Sequence, residues 1–215
     1  MTTWTEPGPV MPVIVLDDPG LAVDLAHALV AGGIRHLEVT LRTAAALESI
    51  RRIRDAVPQA LVGAGTVLDA GQWQQACDAG ARFGVSPGWS PGLAAAVVAR
   101  GLPFLPGVAT ATEAMHALGD GFTLLKLFPA EAVGGRALLR ALHGPLPGLR
   151  FCPTGGIGAD NAPAYLALPN VVCVGGSWLA PADAVAARDW ARIEALARNA
   201  AALRPAPGAA AGGAA

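Results

Sequence analysis

Among 215 residues, fifteen are Lys or Arg, and reading the chain finds one lysine, Lys126, against fourteen arginines. Lys126 sits in LLKLFPAE, near the end of an apolar run. A cation that snorkels to water or anchors an ion pair is served as well by arginine. What arginine cannot do is lose its proton at accessible pH and attack a carbonyl. Burial among apolar groups disfavours the charged form of an amine, and the neutral amine forms a Schiff base with a ketone. Glu38, in HLEVTLR, lies between Leu37 and Val39. A Schiff-base enzyme needs a general acid/base to carry protons through carbinolamine formation and carbon–carbon cleavage. The same position also suits an ion pair with Arg42 or with Lys126. Arg42 offers a rigid fork for a carboxylate or a phosphate, or a surface pairing with Glu48 or Asp69. Two further pairs, Gly155-Gly156 and Gly175-Gly176 ahead of Ser177, put backbone N–H groups where they can approach an anion, or merely turn the chain.

These residues end apolar runs, and the runs must be strands. Val10–Leu16, His36–Leu41, Ala60–Val67, Arg82–Ser86, Pro103–Val108, Thr123–Phe128, Leu149–Pro153 and Val171–Val174 read as strands buried on both faces. Between them, Leu21–Ala31, Ala44–Ala56, Ala70–Ala79, Pro91–Ala99, Thr112–Leu118, Gly135–Leu142 and Asn161–Leu166 have helical character. A last amphipathic helix carries Trp190, Ile193, Leu196, Ala197, Ala200 and Leu203 on one face. This alternation predicts a parallel α/β fold, and about eight strands favour a (β/α)₈ (TIM) barrel over an open sheet. No strand is followed by GxGxxG, which weakens a dinucleotide-binding alternative. In such a barrel, chemistry sits at the C-terminal strand ends, where Glu38, Arg42, Thr66, Ser86, Gly107, Lys126, Thr154 and Ser177 fall. Strand alternation puts Lys126 on one face with Leu124 and Phe128, Glu38 with His36 and Thr40, and Thr154 with Cys152. Phosphate sites in these barrels often follow the last two strands, where both glycine pairs lie. Residues 1–203 are expected to form one domain and 204–215, rich in Ala, Gly and Pro, a flexible tail.

Composition bounds the rest. Hydrophobic residues make up 53% and charged residues 14%, which excludes disorder for the bulk. A net charge of −1 gives no general pull toward nucleic acid or anionic membrane. No run approaches the ~20 apolar residues that span a bilayer. Three cysteines, Cys77, Cys152 and Cys173, without CxxC spacing argue against a disulfide framework and fit a reducing cytoplasm. Four scattered histidines give no metal motif, and His143 is expected to face solvent. Cys152 and Cys173 read as small strand hydrophobes.

Taken together, PVIVL (12–16), LVAGGIRHLEVTLRT (29–43), VGAGTVL (62–68), SPG (86–88), LPGVAT (105–110), LKLFPAE (125–131), RFCPTGGI (150–157) and CVGGSWL (173–179) resemble the bacterial 2-keto-3-deoxy-6-phosphogluconate (KDPG) aldolases, also called KHG/KDPG aldolases. The resemblance runs from about Val10 to Arg198. It implies a metal-free and cofactor-free class I aldolase, cytoplasmic and homotrimeric. Its substrate would be a phosphosugar acid, cleaved reversibly to pyruvate and glyceraldehyde 3-phosphate in the Entner–Doudoroff pathway. By motif, Lys126 matches the Schiff-base lysine and Glu38 the general acid/base. Arg42 and Thr66 match binders of the pyruvate carboxylate, with Pro87 and Phe128 shaping the pocket. Thr154 would contact substrate, and Gly155, Gly156, Gly176 and Ser177 would cradle the phosphate. Aldolases for the galactonate epimer typically lack the Arg of EVTLRT and the PT before GG, so Arg42 and Thr154 favour the gluconate type. Two rivals stay open: another phosphosugar barrel enzyme with no need of an imine, and a non-catalytic phosphosugar-binding barrel.

Overall fold

β-Branched and small apolar runs alternate with Ala- and Leu-rich stretches, and the computed structural model, which describes residues 7–203, follows that alternation. The strands are β1 (Val10–Ile14), β2 (His36–Thr40), β3 (Leu61–Gly65), β4 (Gly84–Val85), β5 (Phe104–Leu105), β6 (Gly107–Val108), β7 (Leu124–Leu127), β8 (Arg150–Pro153) and β9 (Val174–Gly176). The helices are α1 (Ala22–Ala31), α2 (Ala46–Ala56), α3 (Ala70–Ala79), α4 (Pro91–Arg100), α5 (Ala111–Gly119), α6 (Gly135–His143), α7 (Ala162–Leu166), α8 (Ala182–Ala186) and α9 (Trp190–Ala201). The expected tail, 204–215, lies outside the described residues.

Every strand pair is parallel. The parallel α/β fold expected is observed, with the strands in two ladders among the described residues, β5-β4-β3-β2-β1-β9 and β6-β7-β8. The single strand expected over Pro103–Val108 is divided at Pro106, which has no N–H to donate. Its carbonyl still accepts from the Lys126 N–H at 2.8 Å. At the far end of the second ladder, isolated parallel bridges link Phe151 to Val171 and Thr154 to Gly175. The last strand also starts later than expected. Val171 makes only its isolated bridge, whereas Val174, Gly175 and Gly176 pair with Val10, Met11 and Pro12. Helix α8, which follows Pro181, was not among the expected helices.

Alternation along each strand divides the apolar side chains between two clusters. Leu37, Val39, Leu125 and Leu127 join the large core, with Ile50, Trp73 and Ile193 from the helices. A smaller cluster gathers Met11, Phe83, Val85, Leu105, Cys152 and Cys173, with Leu124 packed against it. These residues come from strands far apart in ladder order, so the sheet is curled, with the small cluster on its concave side. Side chains above that cluster share the same enclosed face.

Candidate active site

Leu37 and Val39 face the helices, which leaves Glu38 on the concave face of β2. Leu125 and Leu127 do the same in β7, so Lys126 follows Leu124 inward. The expected parity is therefore observed, and it brings together two residues 88 positions apart. Lys126 Nζ lies 3.4 Å from Glu38 Oε1, and 5.1 Å from the centroid of the Phe128 ring. Lys126 is 5% exposed and Glu38 1%. The other ion pairs among the described residues join side chains at least 37% exposed. Such pairs contribute little. The Lys126–Glu38 pair is of another kind, since two buried charges are costly to desolvate and are kept where specificity or chemistry needs them.

The strand ends beside this pair are shaped to admit it. Gly65 closes β3, and a Cβ there would overlap Glu38 Oε1 and Cγ. We therefore expect Gly65→Ala to displace the carboxylate; with Glu38 in the acid/base role expected from the sequence, kcat should fall about tenfold or more, the cost of a small misplacement at a reacting group. Steady-state kinetics alongside a thermal melt will check it, with activity falling further than stability. Thr66 follows with φ 59°, a left-handed conformation uncommon for a β-branched residue. Backbone bonds on both sides hold it there, Leu41 N–H to Gly65 O at 2.8 Å and Val67 N–H to Val85 O at 3.1 Å. Strain of this kind gathers at functional sites.

Arg42 lies exposed just beyond β2. Neither candidate partner engages it. Glu48 is held by Arg51 at 3.4 Å and Arg52 at 2.9 Å, and Asp69 caps α3 by accepting from Gln72 N–H at 2.8 Å. Among the described residues no ion pair includes Arg42. Pro87 and Phe128 are half-buried. The backbone of Pro87 closes over Gly107, where a Cβ would overlap its carbonyl, and Gly107 is in register with Lys126.

Thr154 is buried directly after β8, whose Cys152 is in register with Lys126. Its N–H donates to Leu127 O at 2.9 Å and its carbonyl accepts from Ala130 N–H at 2.8 Å. The bridge from Thr154 to Gly175 sets the two glycine turns side by side. Gly155 and Gly156 have φ of 101° and 76°, which only glycine adopts readily. Gly176 is buried and Ser177 exposed beside them. Asn161 braces the first turn, accepting from Gly158 N–H at 2.9 Å and donating to Gly156 O at 3.0 Å.

Of the neighbours of this site, Glu131 and Tyr165 carry no expectation from the sequence, whereas the two strand cysteines fall where apolar side chains were expected. Cys152 and Cys173 lie together in the floor cluster, where hydrogen bonding to Cys152, and then burial, pushes the Cys173 thiol well up. A thiol so placed stays protonated. Glu131, the acid that ends LKLFPAE, accepts a hydrogen bond from Tyr165, the chain's one tyrosine. Its singularity was the available signal. His143, expected to face solvent, is half-buried, with Nδ1 shielded and without a partner. No group of three or more His, Cys, Asp or Glu among the described residues could hold a metal ion. No helix there is long and apolar enough to cross a membrane.

The sequence profile of the family described as "KDPG and KHG aldolase" matches residues 2–196. The chain belongs to that family. It is 52% identical over 193 residues to the 2-dehydro-3-deoxy-phosphogluconate aldolase of Pseudoalteromonas atlantica, covering 90% of each chain. Among solved structures, the KDPG aldolase of Legionella pneumophila superposes with a TM-score of 0.88 at 46% identity, over 90% of this chain and 94% of that one. That protein was captured with pyruvate as a covalent carbinolamine intermediate. The 2-keto-3-deoxy-6-phosphogluconate aldolase of Zymomonas mobilis ZM4, solved with 3-phosphoglycerate, gives a TM-score of 0.89 at 48% identity over 94% of each chain. Membership in the aldolase family, together with the buried Lys126–Glu38 pair, disfavours the two rival readings of the sequence.

Proposed function

We propose that this aldolase-family chain cleaves 2-dehydro-3-deoxy-6-phosphogluconate reversibly to pyruvate and glyceraldehyde 3-phosphate through a Schiff base on Lys126. The observation that carries this is the chain's one lysine, buried with its Nζ 3.4 Å from Glu38 Oε1. Neutral Lys126 attacks the C2 ketone, and Glu38 protonates the departing hydroxyl as water leaves the carbinolamine. The protonated imine then draws in the electrons of the C3–C4 bond. Glu38, left as a carboxylate by the dehydration, takes the C4 hydroxyl proton as that bond breaks, which releases glyceraldehyde 3-phosphate and leaves an enamine. Glu38 returns a proton to C3, and hydrolysis of the imine frees pyruvate and the amine.

Arg42, exposed and free of the ion pairs described, supplies a bidentate clamp for the substrate carboxylate, with the hydroxyl of Thr66 beside it. Pro87 and Phe128 form apolar walls, and Thr154 contacts the substrate between the two ends. Gly155, Gly156, Gly176 and Ser177 receive the phosphate through backbone N–H groups, as adjacent left-handed glycines allow. Glyoxylate and pyruvate from 4-hydroxy-2-oxoglutarate follow by the same imine chemistry without a phosphate, in keeping with the family's description. The curled ladders support a closed (β/α)₈ barrel, with β5 and β6 as one interrupted strand and β8 meeting β9 through its bridges. The homotrimer is carried from the family resemblance; Val98 and Met115, both exposed, offer an apolar face for association, and sedimentation will count the copies. The free cysteines support a cytoplasmic location.

The deciding experiment is borohydride reduction in the presence of saturating pyruvate, read by intact mass and peptide mapping. A reduced pyruvate adduct on Lys126 is expected, and folded protein without it would overturn the Schiff-base mechanism. Turnover on the gluconate substrate is expected to exceed that on its galactonate epimer, and equal rates would overturn the reading of Arg42 and Thr154 as marks of the gluconate type.

A further inference from the structure

The first glycine turn does not hold its shape alone. Its two residues are left-handed, and the segment after β7 grips them from one side. Glu131 N–H donates to Gly155 O at 3.1 Å, while Ala130 N–H donates to Thr154 O. The side chain of Glu131 then fills the space where Gly156 has no Cβ, since a Cβ there would meet Glu131 Cγ at 2.7 Å and Cβ at 2.8 Å. Beyond that contact the carboxylate reaches the hydroxyl of Tyr165 on α7, which is fully buried. Gly135, at φ 49°, leaves room for that hydroxyl, because a Cβ at Gly135 would overlap it. An acidic side chain thus passes beneath a turn to which the phosphate has been assigned, and a buried phenol ties down its charged end.

We propose that Glu131 and Tyr165 are positioning residues that set the phosphate-binding turn and keep a carboxylate averted from the bound anion. The inference rests on the assignment of phosphate to Gly155, Gly156, Gly176 and Ser177. The phenol suits this task. Burial, reinforced by the neighbouring carboxylate, raises its pKa far above the ordinary tyrosine value, so it remains a donor across the working pH range. Hydrogen bonds to a charged acceptor are the strong ones, and this one joins the β7 side of the turn to the helix that follows it. Once released, Glu131 would carry its negative charge within screening distance of the phosphate.

Tyr165→Phe removes one oxygen from a buried ring and should leave the fold intact. We expect KM for the phosphorylated substrate to rise about fivefold to tenfold, the loss of one charge-assisted hydrogen bond. On 4-hydroxy-2-oxoglutarate, which has no phosphate, kcat and KM should stay within about twofold of the unmodified protein. Adding Glu131→Gln to Tyr165→Phe removes the freed charge and should recover part of the lost affinity, which a role in packing alone would not produce. Equal losses on both substrates, or no change on either, would overturn the proposal. Ser177→Asp provides the control for the underlying assignment, since a carboxylate there must weaken the phosphorylated substrate selectively. If Ser177→Asp discriminates and Tyr165→Phe does not, the brace alone is wrong. If Ser177→Asp fails to discriminate, the phosphate assignment falls and the brace falls with it.

Discussion

Lys126→Arg is expected to fold, to keep its positive charge beside Glu38, and to lose aldolase turnover by about 10⁴-fold or more, the order seen when a nucleophile is removed. The pairing can survive because arginine forms a carboxylate pair at least as well as lysine does. The chemistry cannot, because a guanidinium does not deprotonate to attack C2. This substitution separates charge from nucleophilicity at one atom. It has a further advantage peculiar to this chain, since it leaves no lysine anywhere in the sequence. Only the α-amino group could then form an imine with pyruvate. Borohydride trapping on the variant should give no adduct, or one mapped to the N-terminus. Retained turnover above about one hundredth of the original would mean that Lys126 serves as a structural cation, as lysines at strand ends often do.

Lys126 and Glu38 were found through residue type and strand parity, because an alternation of period two fixes the face of every side chain once a strand is recognised. Their approach to 3.4 Å was not legible, since it depends on how far the sheet curls. The break at Pro106 could have been anticipated from proline's missing donor, whereas the shift of the last strand to Val174–Gly176 depends on its pairing with β1. Arg42 is a different case. Glu48 stands three and four residues before Arg51 and Arg52 on α2, so helical spacing alone gave it nearer partners than Arg42. Glu131 and Tyr165 meet across 34 residues and two elements, and no local pattern announces such a contact. Strand ends carry their chemistry in the sequence, while the support beneath them is written only in three dimensions.

Glu38→Gln should divide the cycle where Lys126→Arg abolishes it. The amide keeps the shape of the side chain and a hydrogen-bonding oxygen, but it can neither take up nor release a proton. Attack by Lys126 on pyruvate remains open to it, with solvent carrying the protons slowly, so a borohydride adduct on Lys126 should still form. Steps that need a positioned acid or base should suffer by about 10²–10⁴-fold, the range general acid–base catalysis supplies. The sharpest readout is exchange of the pyruvate methyl protons in D₂O, followed by NMR. That exchange requires the imine to become an enamine and back, and proton transfer at C3 is the step assigned to Glu38. The variant should therefore trap pyruvate yet exchange it slowly, whereas Lys126→Arg should do neither. Stability will fall as well, since a buried pair stripped of one partner costs about 3–5 kcal/mol where the remaining charge stays unpaired. A melt below the assay temperature would obscure the kinetics, so the comparison belongs at a temperature where both variants are folded. Undiminished exchange in folded Glu38→Gln would reduce that carboxylate to the counter-ion of Lys126. The acid/base would then have to be another group reaching the same atom, and Glu38 is the one carboxylate that the described structure places within 4 Å of Nζ.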